Sequence, residues 1–556
     1  MPEYKNGKLL LLFIGFLIIY LLPGIYGHTP WKQDENYSFG IIQTMYDTGN
    51  WLVPINAGEP FMEKPPLYYW VATITASLFS GVMPLHDAAR TATLFFSVVN
   101  FCFFVLLARR VFNSDSFSDS RIWIAFAIYI SAPGLLRHSH DMFTDVALTA
   151  GATIGLYGIV GLILRQKVVM SAVWLCIGTT VTMLSKGVFV PGLLWITLLL
   201  SPLFLSQCRD KSFWYPVLLA GIGAFILILP WPVMLYLQHP DLFMVWFWEN
   251  NIGRFLGFSV AKLGAKAAVS RIPEAIALFA LPAGIMAALY FIRHPLKRLR
   301  NPTEFSMVLF PLLGLVMLQT SATSRALYLL PFIAPLAILS TRLLLVIKPR
   351  VLRYFTHFAV ALWSLVILLV WALYLLKLND PQNSWLAQYD HWLPANYSLH
   401  LALVPFGSAL IMTLLWCCRS RIIAKASPAL QAAFSWGLGI TVSWGVIFTL
   451  LVGWIDYTKG YQEVFDELKT ELAGHYQPGD CMASYRIDES EAPMLYYFTG
   501  ILPHRQQTFS KPESCHWFIV RSDSLQTPPE GMTLFWSGNR PGEKRNIMAV
   551  YKDASR

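Results

Sequence analysis

The sequence predicts a polytopic α-helical membrane protein with about 13 transmembrane helices, followed by a small soluble α/β domain. Three observations predict it. Of the 556 residues, 55% are hydrophobic and only 13% are charged, whereas soluble domains carry roughly a quarter charged residues. Apolar runs approaching the ~20 residues needed to cross a hydrocarbon core recur up to position 455. The Lys and Arg behind the net charge of +10 sit in short clusters between those runs. That is the pattern of cytoplasmic loops and not of a nucleic-acid-binding face.

The first run, Leu9 to Tyr26, follows Lys5 and Lys8 and precedes no A-x-A-like cleavage motif, so it reads as a retained span. Further spans are expected at 91–108, 121–137, 144–163, 171–187, 188–206, 213–232, 273–292, 305–320, 326–345, 355–377, 399–417 and 430–453. The apolar stretch 66–83 is left out of this count. Were it to cross, Arg109, Arg110 and Arg121 would fall outside. Lying along the outer surface, with Tyr68, Tyr69 and Trp70 among the headgroups, it leaves every basic cluster inside. The N-terminus is then cytoplasmic. The loops 28–90, 138–143, 233–272, 321–325 and 378–398, the turn at Lys186 and the tail from Asp456 are outside.

Two domains follow: 1–455 in the membrane and 456–556 outside it. In the tail, "GYQEVFDELKTELAG" reads as a helix and "CMASYR", "HWFIVR" and "NIMAVYK" as strands. Cys481 and Cys515 are the tail's only cysteines, and an oxidising compartment would permit a bridge. The seven cysteines show no metal-ligand spacing and the twelve histidines no HExxH. No Walker sequence and no GxGxxG after a strand is present, which leaves no nucleotide-binding signature.

The residues that could carry chemistry lie on the outer loops. In "QDENYSFGIIQTMYD", Asp34 and Glu35 open a helix, where capping is the plain explanation of an acid. An ionisable group at a membrane boundary is also a functional candidate. In "FMEKPPLYYW", two prolines fix where Lys64 points. That suits a lipid phosphate, or a lysine snorkelling to the headgroups. "RHSHDMFTDVALTAG" offers a second outward carboxylate, Asp145 or Asp141, and a weak metal pattern at His138 and His140. Lys186 in "MLSKGVFVPG" interrupts two apolar runs, either to bind phosphate or to cap the turn. "FWENNIGRF" brings Arg254, capable of bidentate phosphate recognition. "SATSRALYLL" brings Arg325 and Tyr328, the latter also readable as an aromatic-belt residue. The span centres are almost free of charge, unlike those of a transporter.

Taken in order over about 1–345, these motifs resemble the bacterial aminoarabinose transferases and protein-mannosyltransferase-like glycosyltransferases of the GT-C fold. The chain departs from the aminoarabinose pattern at Pro66, Asn251 and Arg325. The resemblance implies transfer of a sugar from a polyprenyl (undecaprenyl) phosphate carrier to a periplasmic acceptor at the inner membrane. It implies catalytic roles for Asp34 and Asp145 and carrier-phosphate contacts for Lys64, Arg254 and Tyr328, with Lys186 beside them. For Glu63 it implies a possible divalent-metal site, with no other cofactor. Lipid A is the expected acceptor, with another glycan or a protein as alternatives. A lipid-sugar flippase and a membrane scaffold are the rivals of another class.

Overall fold

The computed structural model describes residues 6–31, 33–262, 271–293, 295–389, 394, 397–543 and 545–555. Lys5 of the first basic cluster, 263–270 of the expected 233–272 loop and part of 378–398 lie outside them. The first third of the chain is a run of helices: α1 (Asn6–Leu21), α2 (Gln33–Thr48), α3 (Leu67–Phe79), α4 (Leu85–Val111), α5 (Ser120–Ile130), α6 (Pro133–His138), α7 (Thr144–Ile163) and α8 (Val168–Lys186). A two-stranded ribbon, β1 (Ile55–Asn56) and β2 (Glu59–Pro60), separates α2 from α3.

Among the described residues, eight helices are long and apolar enough to cross a membrane, and each matches an expected span. The other five expected spans, 9–27, 121–137, 188–206, 273–292 and 305–320, are shorter or broken. The fourth of them bends by 110° between Ile272–Leu278 and Ala283–Arg293. The helix at the expected span 213–232 is longer than expected, because Lys211–Ile228 runs on through Pro230–Gln238. Pro230 stands at the first position of that second piece, where proline is tolerated.

The tightest helix pair is α7 against α8. A Cβ at Gly178 would lie 2.3 Å from the Gly155 nitrogen, and one at Gly158 2.5 Å from the Leu175 nitrogen. Only glycine lets the two backbones approach so closely, as in small-residue helix contacts of membranes. This fixes the neighbouring ends that carry Asp145 and Lys186.

The tail is a helix, Gln462–Leu472, packed with Glu491–Thr499 against a five-stranded sheet. The strands are β3 (Met482–Tyr485), β4 (His504–Arg505), β5 (Trp517–Ser522), β6 (Met532–Gly538) and β7 (Ile547–Asp553). They lie in the order β4-β3-β5-β7-β6, with β3 parallel to both neighbours and the rest antiparallel. The helix and three strands read from sequence are present. The edge strands β4 and β6 and the helix Glu491–Thr499 are not in that reading. β4 has two residues, and β6 is half exposed and bulged at Leu534/Trp536, so neither gives a clean alternation. Cys481 and Cys515 form a disulfide with Cα atoms 5.0 Å apart.

The tail seats on the first loop. Asp456 accepts the Thr29 amide at 3.0 Å, the Thr29 hydroxyl at 2.7 Å and the Trp31 indole N–H. Asn36 donates to the Ser490 hydroxyl at 2.7 Å, and Asn56 to the Glu489 carbonyl at 3.0 Å.

Candidate active site

The two acids that open α2 part company. Adjacent helical residues point about 100° apart. Glu35 turns inward and is 1% exposed. It accepts the Trp31 amide at 3.2 Å and the Met142 amide at 2.9 Å, and meets Arg90 of α4 at 3.5 Å. Arg90, fully buried, also donates to the carbonyls of His28 and Thr29 and pairs with Asp87. Glu35 is thus a structural tie between α2, α4 and the turn before α7. The His28 ring, tilted against Trp31 with centroids 3.9 Å apart, has its pKa lowered to about 4 by burial and by the Arg90 charge.

Asp34 turns the other way, into a cavity of about 160 Å³. Its Oδ1 accepts the Tyr37 hydroxyl at 2.8 Å, and Tyr37 in turn accepts from the Lys64 ammonium, which also sits 4.7 Å over its ring. Burial would raise the Asp34 carboxyl. The charges of Lys64, Lys186 and Arg325 and the Tyr37 hydroxyl outweigh it and hold the group below the usual carboxylate range. Burial and the Asp34 charge push Tyr37 upward, so it stays a protonated donor. Tyr37 is absent from the sequence reading, although its i,i+3 spacing from Asp34 puts the two on one helical face.

The other expected residues converge on this cavity, apart from Asp145. Lys186, at the end of α8, lines it with its ammonium 4.4 Å over the Tyr328 ring. Its charge is paired with Asp145, which is fully buried at the start of α7 and does not line the cavity. Arg254 lines the far wall, paired with Glu63 at 2.9 Å. Its buried Nε has no hydrogen-bond partner among the described residues. Arg325, Tyr328 and, from the tail, Glu489 add to the polar lining, with Asn250, Asn251, Ser321 and Thr323. Phe189, Val190, Phe255 and Leu318 supply apolar wall.

Two local devices hold this geometry. Gly187 ends α8 with φ of +94°, and a Cβ there would meet the Asn251 amide oxygen at 1.8 Å. Only glycine allows both, so Asn251 can accept the Val188 amide at 3.2 Å. Residues Val245–Gly253 form a π-helical segment that delivers Arg254 to the cavity, a geometry that recurs at functional sites.

The histidine pattern does not make a metal centre. His138 contacts Asp141 at 2.7 Å, and the ring nitrogens of His140 face the carbonyls of Leu136 and Tyr20. No cluster of three or more His, Cys, Asp or Glu suited to a metal is present among the described residues. Glu63 faces a guanidinium rather than a second donor, so these residues do not fit a divalent ion.

No family model matches the chain. It is 27% identical over 343 residues to the undecaprenyl phosphate-α-4-amino-4-deoxy-L-arabinose arabinosyl transferase of Pseudomonas savastanoi pv. phaseolicola, covering 61% of each chain. It is 27% identical over 348 residues to the Yersinia enterocolitica protein of the same name, covering 61% of this chain and 59% of that one. The chain thus spans about three-fifths of the length of these curated relatives. Among solved structures, ArnT from Cupriavidus metallidurans bound to undecaprenyl phosphate superposes with a TM-score of 0.70 at 15% identity, over 98% of both chains. Its apo form gives 0.67. The chain is a multi-pass membrane protein of the GT-C fold, similar to the aminoarabinose transferases in sequence and to ArnT in fold.

Proposed function

We propose that the protein is a glycosyltransferase of the bacterial inner membrane. It moves a sugar from undecaprenyl phosphate, or a related polyprenyl phosphate, to lipid A. The observation that carries this reading is the convergence of Lys64, Lys186, Arg254 and Arg325 around the carboxylate of Asp34 in one cavity with apolar wall. A carrier with an anionic phosphate and a hydrocarbon tail needs both. Relatives named for transfer from undecaprenyl phosphate support it.

In the reaction the bond between the sugar C1 and the phosphate oxygen breaks, and its electron pair leaves with the phosphate. The acceptor oxygen forms the new bond to C1. Lys64 and Arg254 take up the charge that develops on the departing phosphate, with Lys186 and Tyr328 beside them. Asp34 stabilises positive charge at C1. Its carboxyl is held below the ordinary range, which makes it a weak base. That suits an acceptor that is already an anionic phosphate and needs no proton removed. Asp145 acts through Lys186 as a positioning residue. No step uses a metal.

The N-terminus is cytoplasmic in this reading, 1–455 is the catalytic membrane domain, and 456–556 is a periplasmic domain. The test is to incubate purified protein with labelled undecaprenyl phosphate sugar and lipid A. Labelled lipid A is expected, and cells lacking the gene should lose the same mass from their lipid A. Lipid movement without any glycosidic product would instead favour a flippase.

A further inference from the structure

The opposite ends of the site-bearing helices frame a second polar cavity, of about 360 Å³. Asp145 begins the 20-residue α7, so residues beyond its other end lie about 30 Å away along the axis. There the turn after α7 and the turn after α4 face each other. Arg109, Arg110 and Lys167 line the space between them, with Gln166, Asn113 and one carboxylate, Asp115.

The cations there are unbalanced. Among the described residues Arg109 donates only to the carbonyls of Ser114 and Asp115, at 3.1 and 2.9 Å, and it lies over the Phe117 ring. Arg110 donates to the Tyr157 carbonyl at 2.6 Å and reaches the Ser171 hydroxyl at 3.4 Å, its guanidinium 3.6 Å over the Tyr157 ring. Neither arginine, nor Lys167, forms an ion pair with a carboxylate among the described residues. Arg110 is nevertheless only 8% exposed. A charge so far removed from water is costly unless an opposite charge meets it.

The backbone around the cavity is strained as well. Asn113 and Lys167, which line it, and Arg165 beside it have φ of +47°, +42° and +55°. That region is uncommon for residues with a Cβ and tends to persist where a site needs it. Gln166 bridges the two turns through the Asn113 side chain at 3.3 Å. Lys167 also stands at the start of the 19-residue α8 without capping it by its side chain, so the positive end of that helix lies at the same rim.

We propose that this cavity binds the phosphate of an acidic phospholipid headgroup, at the membrane face opposite the candidate active site. Arg110 forms its floor and Arg109 and Lys167 its rim. Helix ends are where headgroups lie, and a basic pocket between spans on the cytoplasmic side is a recognised setting for them.

Native mass spectrometry of the full chain in detergent tests this, with phosphatidylglycerol and phosphatidylcholine as probes. Tighter retention of phosphatidylglycerol by about tenfold is expected. Lys167→Glu, on an exposed rim, should lower that preference about tenfold, the scale of one lost charge-assisted contact. Arg110→Met should do the same and Arg110→Lys should largely keep it. A purely structural arginine would change stability without changing lipid preference. Millimolar inorganic phosphate should compete the lipid away. Equal retention of the two lipids, or an unchanged preference in Lys167→Glu, overturns the proposal. Phosphate binding without phosphatidylglycerol binding overturns the headgroup assignment.

Discussion

Asp34 and Glu35 carry the same charge, one residue apart, and do different work. Asp34→Asn keeps size and capping ability while removing the charge that faces the cavity. Transfer should fall a hundredfold or more, with the thermal unfolding temperature and carrier binding close to those of the parent. Parental transfer rates would make Asp34 structural. Lys64→Ala and Arg254→Ala should each weaken carrier binding roughly ten- to a hundredfold, the cost of about 1.5–3 kcal/mol for a charge-assisted contact. Equilibrium binding of undecaprenyl phosphate checks this. A pH effect follows from His28, lowered to about 4 against ~6.5 when unfolded. The unfolded chain then binds the extra proton between those values, so stability is present above pH 6.5 and is lost as pH falls toward 4. His28→Gln should flatten the fall of unfolding temperature over that window. The sequence made Asp34, Lys64, Lys186 and Arg254 legible because charges beside apolar helices stand out. It left Tyr37, Arg90 and Glu489 in the dark, because their importance comes from partners that only folding brings near.

Elements were legible to the extent that a single run of residues decides them. Long apolar helices such as α4 and α7 need no partner to be recognised. The break between Ile272–Leu278 and Ala283–Arg293 and the π-helical Val245–Gly253 depend on packing and carry no distinctive residue pattern. The helix α3 matters most for orientation. Its 13 residues span about 20 Å, short of a hydrocarbon core of ~30 Å. Ile74, Leu78 and Phe79 form an exposed apolar side, as a helix lying at the interface would. A cysteine replacing Ser114, in the turn after α4, should therefore resist a membrane-impermeant thiol reagent in whole cells and react after lysis. Labelling in intact cells would reverse the topology and move Asp145 to the other face.

For the whole molecule, the tail is joined to the membrane domain by a network around Asp456 and by the Asn36 and Asn56 contacts. Its disulfide closes a 34-residue separation, worth ~3–4 kcal/mol by loop entropy. Intact mass without reductant should show two fewer hydrogens than the free thiols require. Cys515→Ser should lower the unfolding temperature of the tail while the membrane helices stay folded. The tail also borders the cavity around Asp34, because Glu489 is part of its wall. Synthesis proceeds from the N-terminus, so the stretch between these residues takes roughly 20–90 s to emerge at ~5–20 residues per second. During that interval a nascent chain has its first carboxylate and its cations in place, with one side of the candidate site unbuilt. Ribosome-bound intermediates and truncated products would thus hold an unfinished cavity, and the order of translation itself would delay the proposed transfer until the last domain has arrived.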